Sequence, residues 1–380
     1  MIETILEEMI RQLMSQSGQQ VSLVWQGGEP TLMGLSFFQK AVEMQHKYGR
    51  NQLVGNALQT NGLLIDKNWI RFLKEYNFLV GLSLDGPEHI HDRYRLLRSG
   101  SGSLSKVSDR GKLMLDARVV VNAISVVSDY SAQFPEEIYT FHKEAGFDYM
   151  QFIPCVETDP KNPTRAASFS VSGEKFGKFL CKVFDLWLDD FQDNSPTTSV
   201  RFFDSVLYSY VGMEPPDCTL LKECGVYIVV EHDGDVYSCD FFVEPRWRLG
   251  NIMENRLIDM LNSRRQSEFG KLKASLPEPC KKCSWLAYCR GGCTKDRIRD
   301  PRDNGLNHFC QAIKIFFEHA DSRLKHLVQE WKKQKASFQE AGNQELFQSK
   351  KLSEKKLGGM IHVPVGMASS IRNAVEKHRR

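Results

Sequence analysis

The sequence predicts an α/β fold with a parallel sheet and helices outside it, most simply a full or partial (β/α) barrel. Short apolar segments typical of buried strands alternate at least five times with segments whose apolar residues recur at helical spacing. Polar and glycine residues follow the predicted strands at their C-terminal ends, the edge where such folds bind ligands. A chain of 380 residues is long enough for two domains.

The first predicted helix, 2–14, and the first predicted strand, 21–25, lead into a glycine turn. The strand runs directly into Gln-Gly-Gly-Glu-Pro-Thr-Leu at 26–32. Two glycines let bare backbone approach a ligand closely, and the carboxylate of Glu29 can accept hydrogen bonds from a cationic group. Taken alone, the same pattern is also typical of an ordinary turn.

The later elements continue the alternation. Further strands are predicted over 53–58, 78–84, 118–127 and 148–153, and further helices over 35–48, 66–76, 104–116, 133–145 and 172–192. Gln-Thr-Asn-Gly follows the second strand at 59–62, and Asp-Gly-Pro follows the third at 85–87. A last helix is predicted to begin at about Phe309.

Composition and charge exclude several classes of function. The first eight residues carry acids where a signal peptide needs a basic start, and no apolar run reaches 18 residues. We therefore expect a cytoplasmic protein with no membrane partner. The net charge of +3 gives no reason to expect nucleic-acid binding. Residues 331–380 hold 11 Lys and Arg against 4 Asp and Glu, so 329–380 is predicted to be a basic, flexible C-terminal tail.

Eight of the ten cysteines lie within one stretch of the chain. They are Cys218, Cys224, Cys239, Cys280, Cys283, Cys289, Cys293 and Cys310. Thiolates hold iron–sulfur clusters or structural zinc, and the Cys-x2-Cys pair at 280–283 cannot by itself choose between the two metals. Disulfides are a further alternative, although disulfide frameworks belong mainly to short secreted chains.

Together these motifs resemble those of radical S-adenosylmethionine enzymes with a SPASM domain, and more narrowly those of the anaerobic sulfatase-maturating enzymes. The resemblance rests on Gln-Gly-Gly-Glu-Pro-Thr-Leu, on Gln-Thr-Asn-Gly, on Leu-Ser-Leu-Asp-Gly-Pro followed by His91-Asp92 and Arg95, and on the cysteine spacing. It spans about residues 1–325. The run Trp-Arg-Leu-Gly-Asn-Ile at 247–252 favours the sulfatase-maturating branch.

The resemblance implies a chain in two parts. A partial parallel (β/α) barrel of the radical S-adenosylmethionine type, with its first strand missing, occupies 1–200, and a cysteine-rich SPASM domain occupies 201–328. Two auxiliary [4Fe–4S] clusters are implied, one held by Cys218, Cys224, Cys239 and Cys293, the other by Cys280, Cys283, Cys289 and Cys310. A cluster with four cysteine ligands has no open iron for a substrate, but it can relay an electron.

S-adenosylmethionine is the other implied cofactor. By the resemblance, the turn that holds its methionine amino group is formed by Gly27, Gly28, Glu29 and Pro30, and the positions that contact the rest of it are Ser83, Arg95 and Met150. Asp240, directly after Cys239, matches a residue proposed as the general base, and Gln26 matches a residue that lines the substrate pocket. Without the resemblance, Asp240 would be interpreted as an acid that caps a turn.

One motif of the superfamily does not occur in the sequence. The Cys-x3-Cys-x2-Cys loop binds the radical-generating [4Fe–4S] cluster, and the two remaining cysteines, Cys155 and Cys181, are too far apart to replace it. We expect the first strand and this loop to precede Met1, and the third cluster to occur only in a longer form. The 380-residue chain by itself is expected not to cleave S-adenosylmethionine.

The implied reaction is the oxidation of a Cys or Ser of an unfolded sulfatase peptide to formylglycine. A 5′-deoxyadenosyl radical takes hydrogen from Cβ, Asp240 removes the thiol or hydroxyl proton, and the electron leaves through the auxiliary clusters. An electron donor such as flavodoxin or ferredoxin is implied as a partner. Two alternatives stay open: another SPASM enzyme that forms a thioether or carbon–carbon crosslink in a peptide, and a non-catalytic protein whose cysteines hold zinc or inert clusters.

Overall fold

The main sheet of the computed structural model contains six strands, and the model describes residues 1–16, 18–192 and 195–340. The strands along the chain are β1 (Gln20–Trp25), β2 (Leu53–Thr60), β3 (Leu79–Ser83), β4 (Val120–Val127), β5 (Tyr149–Pro154), β6 (Thr158–Asp159), β7 (Asn162–Ala166), β8 (Ser199–Val200), β9 (Val229–Val230), β10 (Asp235–Tyr237) and β11 (Arg248–Asn251). The main sheet has the order β1-β2-β3-β4-β5-β8, and every neighbouring pair is parallel. The predicted α/β barrel class is confirmed, as a partial barrel.

Helices connect these strands and cover the outside of the sheet. They are α1 (Glu3–Gln16), α2 (Leu35–Tyr48), α3 (Lys67–Glu75), α4 (Glu88–His91), α5 (Leu104–Asp116), α6 (Pro135–Glu144), α7 (Gly173–Asp189), α8 (Arg201–Tyr210), α9 (Leu257–Leu261), α10 (Arg264–Ala274), α11 (Glu278–Lys281), α12 (Leu286–Cys289) and α13 (Cys310–Glu340). No helix of the described part of the chain is both long and apolar enough to cross a lipid bilayer.

The predicted strands and long helices are confirmed to within a few residues at their ends. Local signals explain this accuracy. The Asp66 side chain caps α3 by accepting hydrogen bonds from the amides of Asn68 and Trp69, both at 2.9 Å, and Ser172 caps α7 in the same way. The sixth strand, β8, was not predicted, because two residues are too few to produce a periodic pattern.

Apolar side chains on one face of the sheet pack beneath the helices. In β3, Val80 and Leu82 are fully buried in this core, whereas Gly81 and Ser83 alternate with them toward the opposite face. The core continues into α2 and α3, where Trp69 forms edge-to-face contacts with both Phe38 and Phe72. The other face of the sheet is therefore left for the interior of the partial barrel.

The cysteine-rich region packs against the barrel at two places. Near the N-terminus, Gln12 of α1 donates a hydrogen bond to the carbonyl of Ile252 at 3.0 Å and accepts one from the amide of Leu257 at 2.7 Å. At the other end α13 lies along α7, and the rings of Phe184 and Phe316 meet edge to face with centroids 5.5 Å apart. The apolar core therefore contains residues from both sides of the predicted domain boundary near residue 200.

The last helix reaches into the predicted tail. α13 extends to Glu340, so the first part of the predicted tail, 329–340, continues this helix. The rest of the tail, 341–380, lies outside the described residues.

Candidate functional site

Four thiols form a first group beside the small antiparallel sheet β9-β10-β11. Burial is the main cause that raises the pKa of Cys218 and Cys293, and charge repulsion from neighbouring sulfur atoms adds to it: Cys293 and Cys224 act on Cys218, and Cys224 acts on Cys293. The three thiols therefore lie near one another. Cys239 is linked to them through Tyr227, whose hydroxyl lies 3.3 Å from the Cys239 Sγ and also close to Cys218. Cys218, Cys224, Cys239 and Cys293 are called the first thiol group below. Within this group, Cys224 and Cys239 also pack against a cluster of buried aromatic residues, Phe242, Trp247 and Phe269.

The other four thiols of this region form a second group at the start of α13. Cys289 lies near Cys310, Cys280 and Cys283, and Cys310 in turn lies near Cys280 and Cys283. α11 contributes Cys280, the end of α12 contributes Cys289, and α13 begins at Cys310. Cys280, Cys283, Cys289 and Cys310 are called the second thiol group below. The structure thus brings together the same two sets of cysteines that the resemblance implies.

A left-handed turn separates Cys289 from Cys293, although only three residues lie between them. Arg290, Gly291 and Gly292 have φ angles of 52°, 78° and 65°, a backbone conformation that residues other than glycine rarely adopt. A Cβ atom at Gly292 would approach the Asn307 side chain to 2.5 Å. The turn therefore requires glycine, and it directs the two neighbouring cysteines into different groups.

Burial dominates the chemistry of these thiols. It raises the pKa of Cys239 to about 12 and the pKa values of Cys289 and Cys293 to about 11. Such thiols are poor nucleophiles at neutral pH. Iron–sulfur clusters bind the thiolate form and supply the positive charge that compensates it. Two groups of four sulfur donors, of which Cys280 is buried and the others are half-buried, therefore fit two four-cysteine clusters.

The predicted cofactor turn lies at the C-terminal end of β1. Gly27 and Gly28 have φ angles of 94° and 51°, and open space surrounds both, so the backbone is accessible to a ligand. Glu29 has a structural role that the sequence did not predict. Its Oε1 accepts hydrogen bonds from Thr60 Oγ1 at 2.7 Å and from Thr31, and its Oε2 accepts one from the Asn61 amide at 2.8 Å. The carboxylate therefore joins the glycine turn to the Gln-Thr-Asn-Gly segment after β2.

Polar side chains line the interior face of the sheet. Gln59 Nε2 lies 3.3 Å from Ser83 Oγ, and Asn122 Nδ2 donates to Gln151 Oε1 at 3.3 Å. The Asn122 Oδ1 is buried and has no hydrogen-bond partner in the described structure. A buried acceptor of this kind fits a polar ligand. Sequence reasoning singled out Gln59 as part of the Gln-Thr-Asn-Gly motif but missed Asn122 and Gln151; single polar residues inside apolar strands were the available signal.

Arg95 and Met150, both predicted cofactor contacts, have different environments. The Arg95 guanidinium binds the Asp85 carboxylate through two hydrogen bonds, at 2.6 and 3.1 Å, and Asp85 also accepts one from the Val126 amide at 2.9 Å. Arg95 is therefore fixed at the C-terminal ends of β3 and β4. Met150 is 1% exposed and packs in the core that contains Ile138. A contact of its side chain with a cofactor stays a prediction.

Asp240 connects the barrel to the first thiol group. Its Oδ2 accepts a hydrogen bond from Gln26 Nε2 at 3.1 Å, so two predicted site residues 214 positions apart in the chain are in contact. Its Oδ1 accepts a hydrogen bond from the Tyr227 hydroxyl at 2.8 Å and lies 3.3 Å from the Cys239 Sγ. Sequence reasoning missed Tyr227, because nothing in its local sequence distinguishes a residue of the polar site from a residue of the apolar core.

The fold and these groups define a class: a radical S-adenosylmethionine enzyme with an iron–sulfur SPASM region. A family model described as an iron–sulfur cluster-binding domain matches residues 222–284. The chain is 38% identical over 352 residues to the serine-type anaerobic sulfatase-maturating enzyme of Bacteroides thetaiotaomicron, covering 88% of this chain and 84% of the relative. It is 39% identical over 329 residues to the cysteine-type enzyme of Clostridium perfringens, covering 85% and 88%. The chain belongs to the anaerobic sulfatase-maturating enzyme family.

Solved structures agree with this relationship. The structure of native anSMEcpe with bound AdoMet and Cp18Cys peptide superimposes with a TM-score of 0.81 at 37% identity, covering 87% of this chain and 91% of that one. Streptococcus suis SuiB bound to S-adenosylmethionine superimposes with a TM-score of 0.52 at 16% identity, covering 78% of this chain and 66% of that one. At that identity the second similarity shows a shared fold alone.

Proposed function

We propose that this chain carries the chemistry of anaerobic sulfatase maturation, the oxidation of a Cys or Ser side chain in a sulfatase peptide to formylglycine. The observation that carries the proposal is the contact of Asp240 with both Gln26 and Tyr227, directly beside Cys239. It joins the predicted substrate pocket of the barrel, a carboxylate base and a predicted cluster ligand within hydrogen-bonding distance of one another.

The first thiol group would hold one auxiliary [4Fe–4S] cluster, and the second thiol group would hold the other. The grouping of the sulfur atoms and the burial of the thiols support this assignment. When bound, these clusters supply a route for electrons, and S-adenosylmethionine supplies the radical that abstracts hydrogen. For S-adenosylmethionine we propose the exposed backbone of the 27–30 turn, with Ser83 and Arg95 as further contacts and Met150 at the edge of the same region.

Asp240 would act as the base. Removal of one hydrogen atom from the substrate Cβ, of the thiol or hydroxyl proton and of one further electron leaves a carbon–sulfur or carbon–oxygen double bond. From a Cys substrate, water then replaces the sulfur, which leaves as hydrogen sulfide, to give formylglycine. A half-buried carboxylate oxygen can take that proton, while the Tyr227 hydroxyl holds the second carboxylate oxygen in a fixed orientation. The Gln26 amide, which contacts the same carboxylate, lies on the pocket side and would orient the substrate.

Two macromolecular partners follow from this reaction. The substrate would be an unfolded sulfatase peptide, because the side chain must reach a base inside the barrel opening. The electron partner would be an acidic redox protein of the flavodoxin or ferredoxin type. Exposed Lys282 lies between Cys280 and Cys283 in the chain, exposed Lys314 lies near Cys310, and their positive charge would attract such a protein. Thiols that must stay reduced suit a cytoplasmic setting.

The direct test is formation of formylglycine in a sulfatase peptide. The 380-residue chain, joined at its N-terminus to the family's Cys-x3-Cys-x2-Cys segment, is reconstituted without oxygen and given S-adenosylmethionine, a reductant and Cys- or Ser-containing peptide. Mass spectrometry should detect formylglycine in the peptide, and the 380-residue chain alone serves as the control. Formation of 5′-deoxyadenosine with an unchanged peptide would overturn the proposal.

A further inference from the structure

Two buried cations in the cysteine-rich region have no part in the reaction described so far. Lys273 of α10 is 0% exposed, and its ammonium donates hydrogen bonds to the backbone carbonyls of Cys218 at 2.6 Å and Thr219 at 2.7 Å. Its titratable neighbours are the thiols of Cys224, Cys218 and Cys293, all from the first thiol group, and the Asp217 carboxylate. An isolated buried ammonium is costly unless an anion compensates it.

Arg297 lies between the two thiol groups. It is 8% exposed, and its guanidinium donates only to backbone carbonyls, those of Gly291, Leu272 and Ser275, at 3.1 to 3.4 Å. Its neighbouring sulfur atoms come from both groups: Cys280 and Cys289 from the second, Cys224 and Cys293 from the first. Arg297 keeps its charge at every accessible pH.

Neither cation forms a salt bridge with a carboxylate in the described part of the chain. The nearest carboxylate to influence Lys273 is that of Asp217, which itself pairs with Arg201 at 3.8 Å. A [4Fe–4S] cluster bound by four thiolates is anionic, and each added electron makes it more so. A fixed positive charge near the cluster, in a buried region, therefore favours the reduced cluster.

We propose that Lys273 and Arg297 are the counter-charges of the auxiliary clusters, with Lys273 serving the first cluster and Arg297 serving both. Their charge raises the reduction potentials, so that an electron leaving the substrate side is accepted by the first cluster and passed to the second. This inference rests on the proposed ligation of two clusters by the two thiol groups. The two cations are positioning residues that act through the clusters.

The test compares variants that remove the charge but keep hydrogen-bond donors. Lys273→Gln and Arg297→Gln are reconstituted as full chains, with Lys271→Gln, an exposed lysine on the same helix, as the matched control. Midpoint potentials are measured by redox titration followed by electron paramagnetic resonance. The two signals are assigned with Cys310→Ala and Cys239→Ala proteins, each of which keeps one complete thiol group.

Lys273→Gln should make reduction of the first cluster at least tenfold less favourable, about 59 mV lower in potential, and should leave the second cluster unchanged. Arg297→Gln should lower both potentials, whereas Arg297→Lys should keep them near wild type. Iron-loaded Gln variants with wild-type potentials would overturn the proposal, because the hydrogen bonds alone would then account for both residues.

If Lys273→Gln does not bind the first cluster, a second variant, Lys273→Arg, is the control. Lys273→Arg keeps the charge but not the shape, so recovery of iron in that variant supports the charge and equal loss in both variants overturns it. A wild-type chain that binds no iron would instead overturn the ligand assignment, and this proposal with it. Eight irons in the wild type with unchanged variant potentials would overturn the counter-charge alone.

Discussion

The helices of the barrel bury a large apolar core of their own against the main sheet and share a second one with α13, whereas the first thiol group lies against a small cluster formed by Phe242, Trp247 and Phe269. Apolar burial contributes roughly 25 cal/mol per Å², so the barrel has an ample source of stability of its own. The environment of the first thiol group instead contains half-buried thiols and two buried cations, Lys273 and Arg297, that form no salt bridge in the described part of the chain. We infer that metal ligation stabilises this region as metal does in small zinc domains.

The sharpest test of this contrast is the removal of one ligand. Cys239→Ala should cost about four of eight irons per chain and should expose the cysteine-rich region to hydrogen exchange, while the main sheet stays protected. Iron analysis and hydrogen-exchange mass spectrometry measure the two effects.

The matched control is a cysteine of the barrel. Cys181 of α7 lies half-buried, with its Sγ 3.7 Å from the Ile315 carbonyl, outside both thiol groups. Cys181→Ala should keep all eight irons and the exchange pattern of the wild type. Equal exposure of the sheet and the cysteine-rich region in Cys239→Ala would contradict the difference between the two regions.

Asp240→Asn isolates the base from the neighbouring cluster. Asparagine keeps the volume and can accept a hydrogen bond, but it cannot take a proton at neutral pH. In the chain joined to the Cys-x3-Cys-x2-Cys segment, formylglycine production should fall about 100-fold or more, while iron content and 5′-deoxyadenosine formation persist. Asp259→Asn, an exposed carboxylate of the same region, is the control. A wild-type rate in Asp240→Asn would return Asp240 to the role of a turn cap.

Tyr227→Phe tests the orientation of that base. The change removes the hydroxyl that donates to Asp240 at 2.8 Å and keeps the ring. A hydrogen bond to a charged group contributes about 1.5–3 kcal/mol, so the turnover number should fall about tenfold or more with little change in KM for the peptide. Unchanged turnover in an iron-loaded variant would assign the orientation of Asp240 to Gln26 instead.

The smallest expected effect concerns the barrel alone. Burial raises the pKa of Asp204 in α8 to about 7, although Ser199 donates a hydrogen bond to it. The unfolded carboxyl ionises near pH 4, so ionisation destabilises the folded chain as the pH rises from about 4 through 7. Asp204→Asn should therefore raise the melting temperature by a few degrees, about 3–5 °C, at pH 8 and much less at pH 5.

A measurement of iron content shows whether the effect of Asp204→Asn is confined to the barrel or extends to the cysteine-rich region. Asp204→Asn should leave the iron content at its wild-type value, because the carboxyl is buried among barrel residues. Equal melting shifts at pH 5 and pH 8 would mean that the ionised carboxylate is compensated within the folded chain.

Local signals made much of the molecule predictable. The strands, the long helices and the turn at Gly27 and Gly28 follow from periodicity, capping and backbone freedom over short stretches. The eight cysteines stand out by residue type. The two-residue strand β8 and the polar inward positions Asn122 and Gln151 were not predicted, because too few residues carry their signal.

The sequence by itself determined the elements, the sulfur donors and the family, since each depends on residue type and near neighbours in the chain. Only the tertiary structure decided that Gln26 contacts Asp240 across 214 positions and that Tyr227 links this carboxylate to Cys239. Only it placed Arg297 between the two thiol groups. Such contacts depend on how separate elements pack, and burial of apolar faces, rather than any local pattern, sets that packing.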